Sequence, residues 1–144
     1  PLMIKLPGMK GGKKIKNPVE LLDLYPTLLE VTNLPKNPLN EGKSLISLIN
    51  GKTKGSGLAI TTYGLNNHSL INQTHRYIRY QDGSEELYDL INDPNERNNI
   101  ANQDGSNIIK RNFIKHIPSL NEPWSPSSYN TVNDYFARTS NSEY

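Results

Sequence analysis

The regular alternation of residues on either side of Asp82-Gly83 predicts a β-hairpin. Residues 76–81 and 84–89 form two alternating runs, and Asp-Gly between such runs favours a tight turn, because Gly adopts positive φ without strain. With a two-residue loop, the predicted partners are Gln81 and Ser84, Tyr80 and Glu85, Arg79 and Glu86, Ile78 and Leu87, Tyr77 and Tyr88, and Arg76 and Asp89. Because a slip by one residue would turn every side chain to the other face, these pairings predict one register, and the alternative is a bulged turn that shifts the register locally.

Two further strands and a helix complete this half of the chain. Residues 58–64 are rich in β-forming residues, and Leu70 and Ile71 indicate a second short strand that ends at Asn72. With the hairpin they predict an antiparallel sheet of about four strands. Residues 104–117 predict an amphipathic helix that is capped by Asp104 or Ser106, stops at Pro118 and covers one face of the sheet. Its apolar stripe comprises Ile109, Phe113 and Ile117, flanked by Ile108 and Ile114.

The first fifty residues have a different pattern. Residues 2–6 predict a buried strand, and residues 9–16 a Gly/Lys loop. Asn17 followed by Pro18 and Glu20 predicts a helix start, and the wide apolar stripe over residues 19–34 predicts a helix buried over much of its girth. Pro26 is expected to bend or divide this helix. Residues 40–49 predict a turn and a short helix packed on the first one, and residues 51–57 a linker.

Capping-box spacing recurs after the hairpin. Asp93 is followed by Pro94, and Glu96 lies three residues after Asp93. This spacing predicts a short helical turn that begins at Pro94. Residues 119–144 have no periodicity and predict an extended tail, tied down in part by Trp124 and by Tyr135 with Phe136.

The composition of the chain argues against several classes of function. The 144 residues include 16 basic and 14 acidic side chains, a net charge of +2, which is no nucleic-acid signature. The lysine cluster at residues 10–16 is interpreted as a solvated loop. The absence of cysteine excludes a disulfide, a thiolate metal site and a cysteine nucleophile. The sequence shows no transmembrane run and no signal peptide, and a start at Pro1, within a predicted strand, suggests a fragment.

The segment RYIRY–DG–EELYDL–NDPNE–NNIA, within residues 75–101, resembles the C-terminal signature of type I sulfatases. The similarity is to the bacterial branch that acts on sulfated carbohydrates, in the alkaline phosphatase superfamily. LLDLYPTLLEVTNLP, PLMIKLPGM and the GKSL segment at residues 42–45 resemble further family segments, so the resemblance covers residues 1–118 with gaps.

The resemblance implies an α/β fold, here a fragment of the alkaline-phosphatase-like sulfatase fold. Residues 1–50 would form the C-terminal end of the main domain, with a strand and helices. Residues 51–57 would be the linker, residues 58–118 a small antiparallel subdomain covered by a helix, and residues 119–144 the tail. The implied partners are the upstream main domain and a sulfated carbohydrate, with no nucleic acid and no membrane span. The resemblance also implies that the parent protein is periplasmic or secreted.

The resemblance also implies that the parent protein is a sulfuric ester hydrolase. Such enzymes use a formylglycine made within C/S-x-P-x-R and a calcium ion. The chain has no cysteine, and Ser125-Pro126-Ser127 does not fit this spacing. We therefore expect no catalytic or metal-binding residue in this chain, and no activity from it alone. The alternatives are a non-catalytic sulfatase-like binding or packing module, and a phosphonate or phosphodiester hydrolase of the same superfamily.

Candidate substrate contacts lie just before the hairpin. The segment at residues 66–69, which contains Asn67 and His68, resembles the family element GNH(S/A)VR. His68 is a candidate hydrogen-bond donor to a sulfate or a sugar hydroxyl, and the alternative is a histidine that serves its own turn. The chain departs from the pattern at Ile71, where many relatives carry Arg. Asp23 and Lys43 are interpreted as a structural and a surface residue.

Overall fold

A computed structural model describes residues 1–54 and 57–119. The predicted tail, including Trp124, Tyr135 and Phe136, lies outside the described residues from position 120 onward. The chain forms two compact units: Pro1–Ala59 with Ile71–Thr74, and Ile60–Leu70 with the described part of His75–Tyr144. No helix among the described residues has the length and apolarity needed to span a bilayer.

Three short helical segments belong to the first unit: a 3-10 turn at Leu21–Asp23, α1 at Leu24–Val31 and α2 at Ile46–Ile49. The predicted start at Pro18 is wrong by three residues, because the Asn17 side chain donates to the Lys54 carbonyl instead of capping a helix. Glu20 and Asp23 form the capping box.

Pro26 is the third residue of α1, where the missing N–H needs no intrahelical acceptor. The 3-10 turn passes directly into α1 at Leu24, so the helical stretch over residues 21–31 is continuous and the predicted division at Pro26 is not observed.

The predicted burial of the helical stretch over residues 21–31 is wrong for this structure. Leu21 is 85% and Leu28 60% exposed, and Leu22 and Tyr25 are more than half exposed. The buried residues of this region are the polar Asp23 and Thr27. The Thr27 hydroxyl accepts the Leu45 N–H at 2.9 Å, next to α2. The packing of the short second helix on the first is confirmed, and polar groups line the contact.

Residues 2–6 are irregular, so the strand predicted there is absent from the structure. Met3 is 90% exposed. A strand needs a neighbour for its N–H and C=O groups, and none of the described strands lies beside this segment. Apolar composition alone therefore predicted the wrong conformation.

The predicted four-stranded antiparallel sheet is confirmed, in the order β1-β2-β3-β4. Its strands are β1 (Leu58–Thr62), β2 (His68–Asn72), β3 (His75–Arg79) and β4 (Glu85–Asp89).

The predicted hairpin register is wrong by one residue. The observed partners are His75 and Asp89, Arg76 and Tyr88, Tyr77 and Leu87, Ile78 and Glu86, and Arg79 and Glu85. The cause is a three-residue loop: Tyr80 N–H donates to the Ser84 carbonyl, and Gly83 N–H donates to the Tyr80 carbonyl. Gly83 has φ +86° and forms the bulge of such a loop. This register places Tyr77 opposite Leu87 on one face, and neither side chain is exposed to solvent.

The helix α3 (Ser106–Ile114) covers that face, as predicted. The Phe113 and Tyr77 rings stack with centroids 5.8 Å apart. Both predicted side-chain caps are wrong, because Gly105 with φ +84° occupies the cap position and no side chain caps the helix. The Ser106 hydroxyl instead donates to the Ile100 carbonyl at 2.6 Å.

The segment after the hairpin forms a single turn at Pro94 and no capping box. Asp93 accepts the N–H groups of Arg97 and Asn98 at 2.7 and 2.8 Å. Glu96 has φ +54°, and its carboxylate lies 2.9 Å from the Arg76 Nε. The positive φ ends the turn. The Glu96 carboxylate pairs with Arg76 of β3 and does not accept the Asp93 N–H, as a capping box would require.

Candidate substrate-binding site

The β1–β2 loop holds Asn67 against the hairpin turn. Asn66 has φ +58°, a left-handed conformation that Asn tolerates better than most residues. The Asn67 Nδ2 donates to the Leu65 carbonyl at 3.0 Å, and its Oδ1 accepts the Gln81 N–H at 3.2 Å. One side chain therefore closes its own loop and ties that loop to the next turn.

His68 is the first residue of β2, and its side chain is enclosed. The residue is 3% exposed, and its Nδ1 lies 3.0 Å from the Thr62 Oγ1 of β1. Burial, and secondly the charge of Arg79, lower the pKa of His68 below its usual 6.5. The imidazole is therefore neutral at pH 7 and carries one N–H donor.

A shallow depression lies where the loop and the hairpin turn meet. It is lined by Asn67, Tyr80, Gln81, Asp82 and Ser84. The Ser84 hydroxyl and N–H both donate to the Asp82 Oδ1, at 2.6 and 2.9 Å, and these bonds lower the pKa of Asp82. The rim thus carries a fixed carboxylate, amides and a phenol, groups that can exchange hydrogen bonds with sugar hydroxyls.

The sequence predicted Asn67 and His68 as the candidates, and the structure places only Asn67 on this depression. Tyr80, Gln81, Asp82 and Ser84 were not predicted as site residues. The Asp-Gly signal located their turn, but the bond from Gln81 to Asn67 comes from a residue fourteen positions away and has no local signature.

The tyrosines on the other face of the hairpin have a common partner. Glu86 accepts the Tyr80 hydroxyl at 3.1 Å and the Tyr88 hydroxyl at 2.7 Å. The hydrogen bond to Glu86, together with burial, raises the pKa of Tyr88 to about 12. Cross-strand packing and this shared carboxylate account for these rings within the hairpin.

Asp23 has the structural role that the sequence indicated. Its two carboxylate oxygens accept the N–H groups of Glu20 and Lys43, at 3.0 and 2.8 Å. The Lys43 residue is exposed, as predicted. Within residues 1–54 and 57–119, no group of three or more His, Cys, Asp or Glu side chains is arranged to hold a metal ion.

Comparison with known proteins identifies the family. The family N-sulphoglucosamine sulphohydrolase, C-terminal, matches residues 1–122. The chain therefore belongs to this C-terminal sulfatase family, which confirms the resemblance found in the hairpin and DLYPT segments.

Relatives over most of the chain are sulfatases. The chain is 42% identical over 140 residues to a sulfatase of Formosa agariphila, covering 94% of this chain and 27% of that protein. It is 32% identical over 123 residues to human arylsulfatase K, covering 70% of this chain and 22% of the relative. The chain thus spans about a quarter of the length of these relatives.

Solved structures show the same fold. A sulfatase structure from Bacteroides thetaiotaomicron superposes with a TM-score of 0.53 at 22% identity, covering 82% of this chain and 24% of that one. BT1596, a 2-O GAG sulfatase, also gives a TM-score of 0.53 at 22% identity, over 83% and 25% of the two chains. These matches agree with a fragment of the alkaline-phosphatase-like sulfatase fold.

Proposed function

We propose that this chain is the C-terminal part of a sulfatase that hydrolyses sulfate esters of a sulfated carbohydrate. The supporting observation is the family match over residues 1–122, in a chain that spans 27% of its Formosa agariphila relative. The substrate class is supported by BT4656, a structural neighbour at TM-score 0.53, solved with its substrate D-glucosamine-2-N,6-O-disulfate.

The catalytic centre is proposed to lie in the part of the sulfatase that precedes this chain. Hydrolysis of a sulfate ester requires a nucleophile and positive charge against the oxygens that become negative in the transition state. The proposed nucleophile is a formylglycine from C/S-x-P-x-R, and the proposed cation is calcium. The 144 residues contain no such motif, so the chain alone is expected to be inactive.

Asn67 and His68 are proposed to serve the carbohydrate end of the substrate. A neutral imidazole donates a hydrogen bond but supplies no positive charge, so a sugar hydroxyl suits it better than a sulfate. Asn67 reaches the rim directly, whereas His68 is enclosed beside Thr62. Asn67→Ala in the whole protein should raise KM for a sulfated sugar and leave hydrolysis of a small aryl sulfate unchanged.

The main domain of the sulfatase is the proposed partner of the first unit. Residues 1–50 would complete that domain, residues 51–57 would be the linker, and residues 58–118 would form the C-terminal subdomain. The exposed leucines of the 3-10 turn and α1, Leu21, Leu22 and Leu28, give the first unit an apolar surface for such a contact. A periplasmic or secreted location is proposed on the family resemblance.

The test is sulfate release by the whole protein, expressed with a formylglycine-generating enzyme and supplied with calcium. A chromogenic aryl sulfate and D-glucosamine-2-N,6-O-disulfate are the substrates, and a phosphodiester of the same phenol is the comparison. We expect sulfate release by the whole protein and none by the 144-residue chain. A folded, calcium-loaded protein that releases no sulfate would favour a binding module, and faster phosphodiester cleavage would favour the superfamily alternative.

A further inference from the structure

Basic residues outnumber acidic residues in the first unit of the chain. Residues 1–59 contain nine lysines and four acidic residues, whereas the rest of the chain contains seven basic and ten acidic residues. No acidic residue occurs in residues 1–19 or in residues 42–81. A net positive charge is therefore concentrated in the segments that flank α1 and α2.

Two side-chain bonds bring two lysine-rich segments together. The Lys13 Nζ donates to the Ile49 carbonyl at 2.5 Å, and the Asn17 side chain donates to the Lys54 carbonyl. A Cβ added at Gly51 would lie 3.5 Å from the Lys13 Nζ, which shows how closely the segments approach. Residues 13–17 therefore run beside residues 49–54.

Four lysines belong to these two paired segments, and all are exposed: Lys14, Lys16, Lys52 and Lys54. We call them the lysine patch. Among the described residues, neither ion pair involves the patch, because the two pairs are Arg76 with Glu96 and Lys110 with Glu85. Like charges on two tethered segments repel one another, and at 0.1 M salt this repulsion extends over a Debye length of roughly 10 Å. A polyanion would relieve this repulsion.

We propose that the lysine patch binds a chain of the sulfated carbohydrate. This inference rests on the proposed function for the identity of the polyanion. The patch contains no arginine for bidentate phosphate contacts, and residues 10–17 and 49–54 contain no aromatic ring on which a base could stack. Lysines are hydrated point charges that follow a flexible sulfated polymer without fixed geometry. Such binding would raise the substrate concentration near the enzyme.

The binding test uses the 144-residue chain and needs no catalysis. Affinity for heparin, desulfated heparin and a DNA duplex is measured by calorimetry over a range of salt. The variant replaces the four patch lysines with Ser. The matched control replaces four exposed basic residues elsewhere, Lys36, Lys43, Arg111 and Lys115, and removes the same charge. A second variant with Gln at the patch positions keeps the side-chain length in case the Ser variant fails to fold.

We expect the chain to bind heparin and not desulfated heparin. The patch variant should lose about tenfold or more in affinity and show a shallower salt dependence, because fewer counterions are released. The control variant should lose less than about threefold. Equal losses in both variants would overturn the proposal, as would tighter binding of the DNA duplex than of heparin.

A second arm separates this proposal from the proposed function. In the whole protein, the patch variant should raise KM for the sulfated polymer and leave turnover of the small aryl sulfate unchanged. If the patch variant turns over the aryl sulfate and its KM for the polymer is unchanged, the role of the lysine patch is wrong and the sulfatase function stands. Heparin binding through the patch by a protein that releases no sulfate would overturn the sulfatase function alone.

Discussion

At the residue scale, one carboxylate joins the sheet to α3. Glu85 on β4 accepts the Tyr77 hydroxyl and lies 2.7 Å from the Lys110 Nζ. The Lys110 and Glu85 side chains are only 11% and 25% exposed. Burial alone would raise the pKa of Glu85, but the bonds from Lys110 and Tyr77 outweigh burial and lower that pKa. A lysine that the apolar pattern did not mark is therefore a main contact of the helix with the sheet.

Lys110→Met is expected to destabilise the chain by about 1–3 kcal/mol at pH 7, because Glu85 would keep its charge and lose its strongest partner. Glu85 has a lowered pKa when folded, so its contribution is present above the unfolded pKa and is lost as pH falls through the folded pKa. The difference between the two proteins should therefore shrink below about pH 4.5, the usual pKa of this carboxyl. Urea unfolding at pH 7 and pH 3.5 measures both effects.

The control is Lys115→Met, which replaces an exposed lysine just after the same helix. It should change the free energy of unfolding by less than about 0.5 kcal/mol. A loss from Lys110→Met that stays the same at both pH values would contradict an electrostatic contribution of Glu85.

At the scale of elements, two glycines show why turns differ in how well they tolerate a side chain. A Cβ at Gly83 would meet nothing within 4 Å. Gly83→Ala should therefore lower the free energy of unfolding only by the strain of Ala in a left-handed backbone conformation, about 1–2 kcal/mol. A Cβ at Gly42 would lie 2.0 Å from the Leu22 carbonyl oxygen, so Gly42→Ala must separate the loop from the start of the helix. That displacement also threatens the bond from Lys43 N–H to Asp23.

We therefore expect Gly42→Ala to cost more than Gly83→Ala, although its φ is not in the left-handed region. Thermal unfolding followed by circular dichroism compares the two variants. An equal or smaller loss for Gly42→Ala would show that the close approach to Leu22 is easily relaxed.

Periodicity predicted the sheet and α3, because these elements bury their own apolar faces against each other. It did not predict the hairpin register, since Asp82-Gly83 fits both a two-residue loop and a three-residue loop, and only the burial of Tyr77 with Leu87 distinguishes them. Residues 2–6 were predicted as buried from their apolar residues and the first helix from its wide apolar stripe, but burial depends on what lies beside a segment. The depression beside Asn67 was unpredictable for a related reason, because a bond between distant turns forms it.

At the scale of the whole molecule, the exposed leucines of the 3-10 turn and of α1 have no cover among the described residues. Leu21 and Leu28 are 85% and 60% exposed. Exposed apolar surface of this kind marks a contact site or an aggregation hazard. In the proposed sulfatase this surface would pack against the main domain, and each leucine buried there would contribute roughly 1.5–3 kcal/mol.

The double variant Leu21→Ser, Leu28→Ser should therefore act in opposite directions in two contexts. In the 144-residue chain it should reduce self-association and binding of a hydrophobic dye, measured by sedimentation and fluorescence, because exposed leucines are removed. In the whole sulfatase it should lower the melting temperature and the soluble yield, because the same leucines would be missing from a buried contact. Ile108→Ser, at a 70% exposed position of α3, is the control and should have little effect in either context. A double variant that leaves the whole protein as stable as the wild type would show that α1 does not face the main domain.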